Sequence, residues 1–150
     1  MNAAQKKKRP DNQLIGMAGE FLTAGQLLKR GYLASVTLGN AKAIDILVHN
    51  PNTGLNFNVQ VKASQGRQGG FFFNKQGVHP EHIYVFVILN KPTKPEDFFI
   101  VKGDTILRDA DKFFGKGEGK VSGVSYKSLI GYKDNWQLFG ASVASVGVGS

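Results

Sequence analysis

Residues 43–63 have the sequence AIDILVHNPNTGLNFNVQVKA, and this stretch decides the fold. Its first six residues are rich in β-forming side chains, Pro51 to Gly54 are typical turn residues, and apolar side chains alternate with polar ones from Phe57 to Ala63. The pattern predicts a β-hairpin. One face of its second strand carries four apolar side chains, and the opposite face carries Asn58, Gln60 and Lys62.

The register of the hairpin follows from its loop. If Pro51 to Gly54 form a four-residue loop, the two flanking residues pair, and counting outward places Asp45 opposite Gln60. Directly opposed residues have Cβ atoms about 4.5–5.5 Å apart, and Lys62 lies about 6.6 Å farther along the same face. We therefore expect a carboxylate, an amide and an ammonium group to converge there.

Two interpretations of this polar face are open. Asp45, Gln60 and Lys62 would be ordinary residues on the solvated outer face of an antiparallel hairpin. Asp45, however, interrupts the apolar strand AIDILV, where carboxylates are depleted, and this favours a functional site.

A helix is predicted over residues 12–30, and Gly31 supplies its end. Glu20 lies about 120° from the apolar stripe of this helix, so it can reach the edge of the sheet on which the helix packs. The stripe expected to face the core consists of Leu14, Met17, Ala18, Phe21 and Leu28.

The rest of the chain predicts short strands, one further helix and a packed segment. We interpret residues 1–11 as a basic disordered arm, 12–139 as a single domain and 140–150 as a flexible tail. A polar glycine-rich loop is expected from Ser64 to Gly70. The expected strands are 33–38, 71–73, 83–89 and 98–101, the helix is 105–114, and the packed segment is 126–139.

Composition narrows the function. The chain has no cysteine, which excludes disulfides, cysteine-bound zinc and thiol chemistry and leaves a cytoplasmic setting as the default. No apolar run approaches the roughly 20 residues of a membrane helix. Nineteen Lys and Arg against eleven acids give a net charge of +8, which attracts polyanions. The alternative is a basic protein that has no polyanionic partner. An anionic membrane surface is disfavoured as the partner, because the sequence has no long amphipathic helix with a basic face.

Glu20 on a first helix, Asp45 on one strand and Gln60-Val61-Lys62 on the next resemble the PD-(D/E)XK nuclease superfamily. The wider pattern, over roughly residues 14–90, is similar to archaeal Holliday junction resolvase-type proteins. The resemblance implies an α/β (α+β) fold with a restriction endonuclease-like core, a mixed β-sheet flanked by helices. It also implies a metal-dependent endonuclease of resolvase, restriction or repair type that uses Mg²⁺, with Mn²⁺ as a substitute, to hydrolyse DNA.

The resemblance assigns a role to each residue. Asp45 would be the central metal ligand and Glu20 a second, and Gln60 and Val61 would offer an amide and a backbone carbonyl oxygen, the hard ligands that Mg²⁺ prefers. Lys62 would orient the attacking water or stabilise charge on the phosphate. Gln60 replaces the family's commoner Glu or Asp, so one metal ion is expected rather than two.

Several other residues are candidates for DNA contacts. They are Arg67 and Lys75, with Lys6, Lys7, Lys8 and Arg9 of the arm, although a plain flexible loop and a solvated tail are the alternatives. His79 and His82 have a ligand-like spacing, but Pro80 between them disfavours zinc. DNA is the expected partner, and no membrane is expected. The sequence leaves it open whether the chain forms a homodimer. Two competing functions remain, a non-catalytic nucleic-acid-binding module with this fold and a protein-interaction domain.

Overall fold

The computed structural model describes residues 11–38, 44–67, 70–116 and 123–140. The predicted arm and tail therefore lie outside the described residues, apart from Asp11 and Gly140. No helix in the described ranges is both long enough and apolar enough to cross a bilayer. In chain order the elements are α1 (Asn12–Lys29), β1 (Leu33–Val36), β2 (Ile46–His49), β3 (Asn56–Gln65), β4 (Phe71–Phe72), β5 (Ile83–Leu89), β6 (Asp97–Lys102), α2 (Gly103–Arg108), α3 (Ala110–Phe114), β7 (Gly123–Val124) and α4 (Tyr126–Leu129), with 3₁₀ turns at Lys75–Gly77, Ile130–Tyr132 and Trp136–Gly140.

A five-stranded mixed sheet organises the chain. Its strand order is β1-β2-β3-β5-β6, and every neighbouring pair is antiparallel except β3 and β5, which run parallel. Strands β4 and β7 form a separate two-stranded sheet. Helix α1 contacts β1, β3 and β5. The structure thus confirms the expected mixed β-sheet flanked by helices.

The hairpin has the predicted register. Ile46 lies opposite Val59 and Val48 lies opposite Phe57. The Asn50 backbone N–H donates to the Leu55 carbonyl over 2.8 Å, which closes the predicted four-residue loop. Gly54 ends this loop with φ at +74°, a conformation that glycine adopts without steric cost.

The sheet is covered on both faces. β5 is buried almost throughout, as its unbroken apolar sequence predicted. On the face under α1 the core includes Leu27, Ile46, Val59, Val85 and Phe139. On the opposite face it includes Tyr84, Phe86, Phe99, Ile106 and Phe113.

The connection from β3 to β5 is a parallel crossover that contains β4 and a 3₁₀ turn. A crossover must cover the sheet face that it traverses, and an α-helix usually does so. Here aromatic packing does it: the rings of Phe71 and Phe73 lie 5.1 Å and 6.3 Å from that of Phe86. The predicted loop and Phe-rich strand therefore replace a helix in the described part of this connection.

The predicted core face of α1 is wrong. Leu14, Met17, Phe21 and Leu28 are exposed, and Gly19, Thr23, Ala24 and Leu27 are buried instead. Small side chains decide this, because they let the helix lie close to the sheet: a Cβ on Gly19 would be only 2.6 Å from the Ala63 Cβ.

Two smaller predictions also need correction. The helix expected over 105–114 is two short helices separated at Asp109, whose φ of −105° and ψ of 36° depart from helical values. Ile130, expected to pack, is exposed. The segment 126–139, in which Ile130 lies, is otherwise packed as predicted, since Trp136 and Phe139 are buried in the core under α1.

Candidate active site

Asp45 lies where the pairing of β2 with β3 ends. Its backbone N–H donates to the Val59 carbonyl over 2.9 Å. Beyond that bond its own side chain replaces the ladder, because Asp45 Oδ2 accepts from the Val61 backbone N–H over 2.7 Å. A charge-assisted bond of this kind fixes the carboxylate beside Val61. The paired register of β2 and β3 ends at Ile46 and Val59, so the predicted pairing of Asp45 with Gln60 does not belong to it.

Glu20 reaches the same point from α1. Burial raises the pKa of its carboxyl, and the charge and a hydrogen bond of Asp45 raise it further. Gly19 makes this approach feasible, since any larger residue would push α1 away from Val61 and Ala63. Two carboxyl groups therefore face each other at the junction of the helix and the sheet, and they need a proton or a cation between them.

Gln60 is buried, with 7% of its surface exposed, and its amide is held by two partners. The amide nitrogen Nε2 lies 3.0 Å from His82 Nδ1 and donates to Tyr84 Oη over 3.1 Å. Tyr84 Oη is itself fixed, because it accepts from the His79 backbone N–H over 2.8 Å. The amide oxygen takes no part in these bonds, so Gln60 can present it to a ligand.

Sequence reasoning missed His82 and Tyr84 as neighbours of Gln60. The bond to His82 requires an unprotonated Nδ1, since an amide nitrogen only donates. Burial and the nearby His79 lower the pKa of His82, against an opposing effect of Glu81, and this favours the neutral ring. The rings of His79 and His82 stack at 4.5 Å. The HPEH segment thus supports the candidate site, and the parallel pairing of Gln60 with Tyr84 brings it there.

Lys62 lies on the same face of β3 as Gln60. Its Nζ is 5.0 Å from the centre of the Phe73 ring, a cation–π contact that holds the ammonium group. Lys62 also lines a groove of about 680 Å³ between the start of α1, β3 and β4. The other residues of this groove include Asn12, Ile15, Gly16, Ser64 and Phe72.

Two of the predicted DNA contacts, Arg67 and Lys75, lie among the described residues. Arg67 forms an ion pair of 3.5 Å with Asp97, and its guanidinium lies 5.0 Å from the Tyr126 ring centre, beyond the end of β3. Lys75 is exposed on the 3₁₀ turn of the crossover. Lys6, Lys7, Lys8 and Arg9 lie outside the described residues. Contacts thus join Glu20, Asp45 and Val61. Gln60 and Lys62 occupy the neighbouring positions of β3 and make their contacts on the sheet face opposite α1.

The donor set suits a hard divalent cation. It offers the Glu20 and Asp45 carboxylates, the Gln60 amide oxygen and the Val61 carbonyl, all oxygen ligands as Mg²⁺ prefers. Within the described ranges neither carboxylate has an ion-pair partner, so no lysine or arginine neutralises this pair. No cluster of three or more His, Cys, Asp or Glu occurs there either, which sets this site apart from an all-carboxylate cage.

Comparison with known proteins places the fold. No family model matches the chain, and no curated protein matches it by sequence. Its structure is similar to that of a bacterial homing endonuclease, I-Ssp6803I, with a TM-score of 0.59 and 18% sequence identity. The similarity covers 91% of this chain and 96% of the other, so it includes nearly every element described above. At this identity the likeness establishes a shared nuclease-like fold.

Proposed function

We propose that this chain is a metal-dependent DNA endonuclease of the PD-(D/E)XK type. One observation carries the proposal: Glu20 and Asp45, from different elements, form a carboxyl pair without a basic partner in the described residues, held against the Val61 backbone of β3. The similarity to a structure that is itself named an endonuclease supports it. The net charge of +8 supports a polyanionic substrate.

Each residue has a defined task in phosphodiester hydrolysis. Asp45, fixed by the Val61 N–H, is the central metal ligand, and Glu20 completes the carboxylate pair. Gln60 presents its amide oxygen because both His82 and Tyr84 engage its nitrogen. A bound Mg²⁺ or Mn²⁺ supplies a water of lowered pKa and positive charge beside the phosphate. Lys62 orients that water or offsets phosphate charge from the Phe73 ring.

The groove beside Lys62 suggests where DNA lies. It is bounded by the start of α1, and the basic arm with Lys6 to Arg9 joins the helix at the same end. We therefore place the arm as a second source of phosphate contacts, which position a duplex without reading its sequence. Arg67 and Lys75 are further candidates for phosphate contacts.

A non-catalytic DNA-binding module is the second candidate, and Gln60 is the observation that favours it. A neutral amide removes one negative charge from the metal site and weakens its hold on a cation. Retention of both carboxylates argues the other way, because paired carboxylates repel phosphate and serve no purpose in binding alone.

Cleavage assays separate the two. Plasmid and four-way-junction DNA are incubated with the protein in Mg²⁺, in Mn²⁺ and in chelator, and comparison of the substrates distinguishes restriction from resolvase activity. Asp45→Ala should lose cleavage and retain DNA binding, whereas Lys62→Ala should lose rate with unchanged Mg²⁺ affinity in calorimetry. Asp111→Ala, an exposed carboxylate on α3, is the matched control. Cleavage by Asp45→Ala at the wild-type rate would refute the proposed function.

A further inference from the structure

The outward face of α1 is strongly apolar. Its 18 residues include only two charged side chains, Glu20 and Lys29. A surface helix normally carries charged and polar residues opposite its core face, whereas a helix that is apolar all round is usually buried. Four exposed apolar side chains lie within roughly 60° of one another at 100° per residue and leave much of their surface open: Leu14 62%, Met17 42%, Phe21 53% and Leu28 51%. A fifth, Leu22 at 37%, lies beside this stripe.

This face is symmetric about Phe21. Leu14 lies seven residues before Phe21 and Leu28 seven residues after it, and Met17 and Gly25 lie four residues before and after. In an interface with two-fold symmetry, residue i contacts residue j of the partner and residue j contacts residue i. A two-fold axis at Phe21 therefore brings leucine to leucine at both ends of the stripe. The stripe is therefore self-complementary, which fits another copy of the same helix as its partner.

We propose that two copies of this chain associate through α1, with the helices antiparallel and Phe21 on the two-fold axis. Leu14 then packs on Leu28 of the partner subunit, and Met17 packs over Gly25 of the partner subunit. Gly25 suits this contact, since a Cβ built there meets no atom within 4 Å and space remains for a long side chain. Leucine thus meets leucine at both ends of the interface. Between the ends, Met17 fills the space left by the missing side chain of Gly25.

Charge is compatible with the pairing. In this register Lys29 faces Gln13 of the partner subunit and Glu20 faces Leu22 of the partner subunit, so no like charges oppose each other. Glu20 also lies on the flank of α1 and points toward Asp45, away from the axis. The interface therefore places no charge at its centre, where an unpaired one would be costly.

The area of the patch indicates a reversible dimer. An 18-residue helix is about 27 Å long and 10–12 Å wide, a strip of roughly 300 Å² in projection. Stable complexes bury about 800 Å² on each partner, so the helix pair falls short of a permanent interface. We expect dimers at micromolar protein concentration and dissociation on dilution. If the proposed function holds, a further consequence follows: each active site lies beside the axis through Glu20, one site for each strand of a duplex.

Cysteine cross-linking tests the arrangement, because the natural chain has no cysteine. Helices packed about 8–10 Å apart, with Cα atoms about 2.3 Å from each axis, leave about 3.4–5.4 Å between the two Cα atoms on a two-fold axis. The upper part of that interval overlaps the roughly 4.4–6.8 Å range of a disulfide. Phe21→Cys should therefore form a disulfide-linked dimer under mild oxidation.

Two further variants make the test specific. Leu14→Cys alone should not cross-link, since the two copies would be about 21 Å apart along the helices, whereas Leu14→Cys with Leu28→Cys should. In sedimentation velocity at micromolar concentration, Phe21→Lys should be monomeric, and Leu47→Lys, an exposed leucine on β2, should remain dimeric. A monomeric wild-type protein, or cross-linking of Leu14→Cys as efficient as that of Phe21→Cys, would overturn the proposal. These measurements need neither DNA nor metal, so their outcome is independent of the proposed nuclease activity.

Discussion

Gly19→Ala would show whether the close approach of α1 to β3 maintains the candidate site. The added Cβ would lie 2.6 Å from the Ala63 Cβ and 3.4 Å from Val61 Cγ1. The first distance is about 0.8 Å shorter than ordinary van der Waals contact, and the Ala63 Cβ has no rotamer that could move it aside. The helix must therefore shift outward. Overpacking costs about 1–3 kcal/mol, and alanine gains about 1 kcal/mol over glycine in a helix, so we expect a net destabilisation of about 0–2 kcal/mol.

Gly16→Ala is the matched control for this substitution. It lies in the same helix, but a Cβ there meets no atom within 4 Å, so only the gain of about 1 kcal/mol in helix propensity remains. Urea unfolding should separate the two variants by about 1–3 kcal/mol. The shift should also carry Glu20 away from Asp45 and raise the Mg²⁺ concentration for half-maximal cleavage. Equal stability of the two variants would refute the argument that Gly19 sets the distance between helix and sheet.

Three other predictions concern the surroundings of the site. Gln60→Glu adds a carboxylate and should lower the Mg²⁺ concentration for half-maximal cleavage; superimposable metal titrations of variant and wild type would remove Gln60 from the site. His82→Leu removes the Nδ1 acceptor of the Gln60 amide and should raise the Mg²⁺ concentration for half-maximal cleavage. His82→Asn should return that concentration part of the way to the wild-type value. An effect of His79→Leu equal to that of His82→Leu would contradict this role of His82. Burial opposes ionisation of Asp97, but hydrogen bonds from Asn90 and Lys133, and a weaker one from Arg67, lower the pKa of its carboxyl below the ordinary 3.8. The ionised carboxylate therefore stabilises the fold above that pH, and this stabilisation is lost as the pH falls through the folded-state pKa. Asp97→Asn should reduce the difference between the urea midpoints at pH 3 and pH 7.

The hairpin and the polar residues it carries could be predicted because local chemistry determines them. Pro51 to Gly54 set the loop length, and the loop length sets every opposed pair up to Ile46 and Val59. The alternation from Phe57 to Ala63 then assigns faces, since a slip of one residue would turn the apolar set outward. The mixed sheet followed from the same patterns together with the unbroken apolar strand β5.

The core face of α1 could not be predicted in this way, because periodicity identifies apolar faces without saying what covers them. The helix has two such faces, and the one with larger side chains was the natural choice. In the fold, Gly19, Thr23 and Ala24 lie against the sheet because their small size allows close contact. The shape of the neighbouring strand, which the sequence of the helix does not contain, decides between the faces.

His82 and Tyr84 were missed for a related reason. They lie 22 and 24 residues beyond Gln60, and only the parallel pairing of β3 with β5 brings them to it. A hairpin register extends from its loop, whereas the register of a parallel pair depends on a crossover whose length does not fix it. The signal that could have found them is the polar Tyr84 within the apolar strand IYVFVIL, which requires a buried partner for its hydroxyl group.

The surroundings of Gln60 explain why an amide is suited to this position. Its nitrogen supplies both donors that the neutral His82 ring and the Tyr84 hydroxyl accept, and a carboxylate has no such donors. A glutamate would also bury a charge at a residue that is only 7% exposed and that precedes Val61, whose backbone N–H already holds the Asp45 carboxylate. Without a bound cation, burial would oppose ionisation of that added carboxyl group. The amide thus keeps an oxygen ligand in the site while limiting the negative charge that the metal-free protein must tolerate.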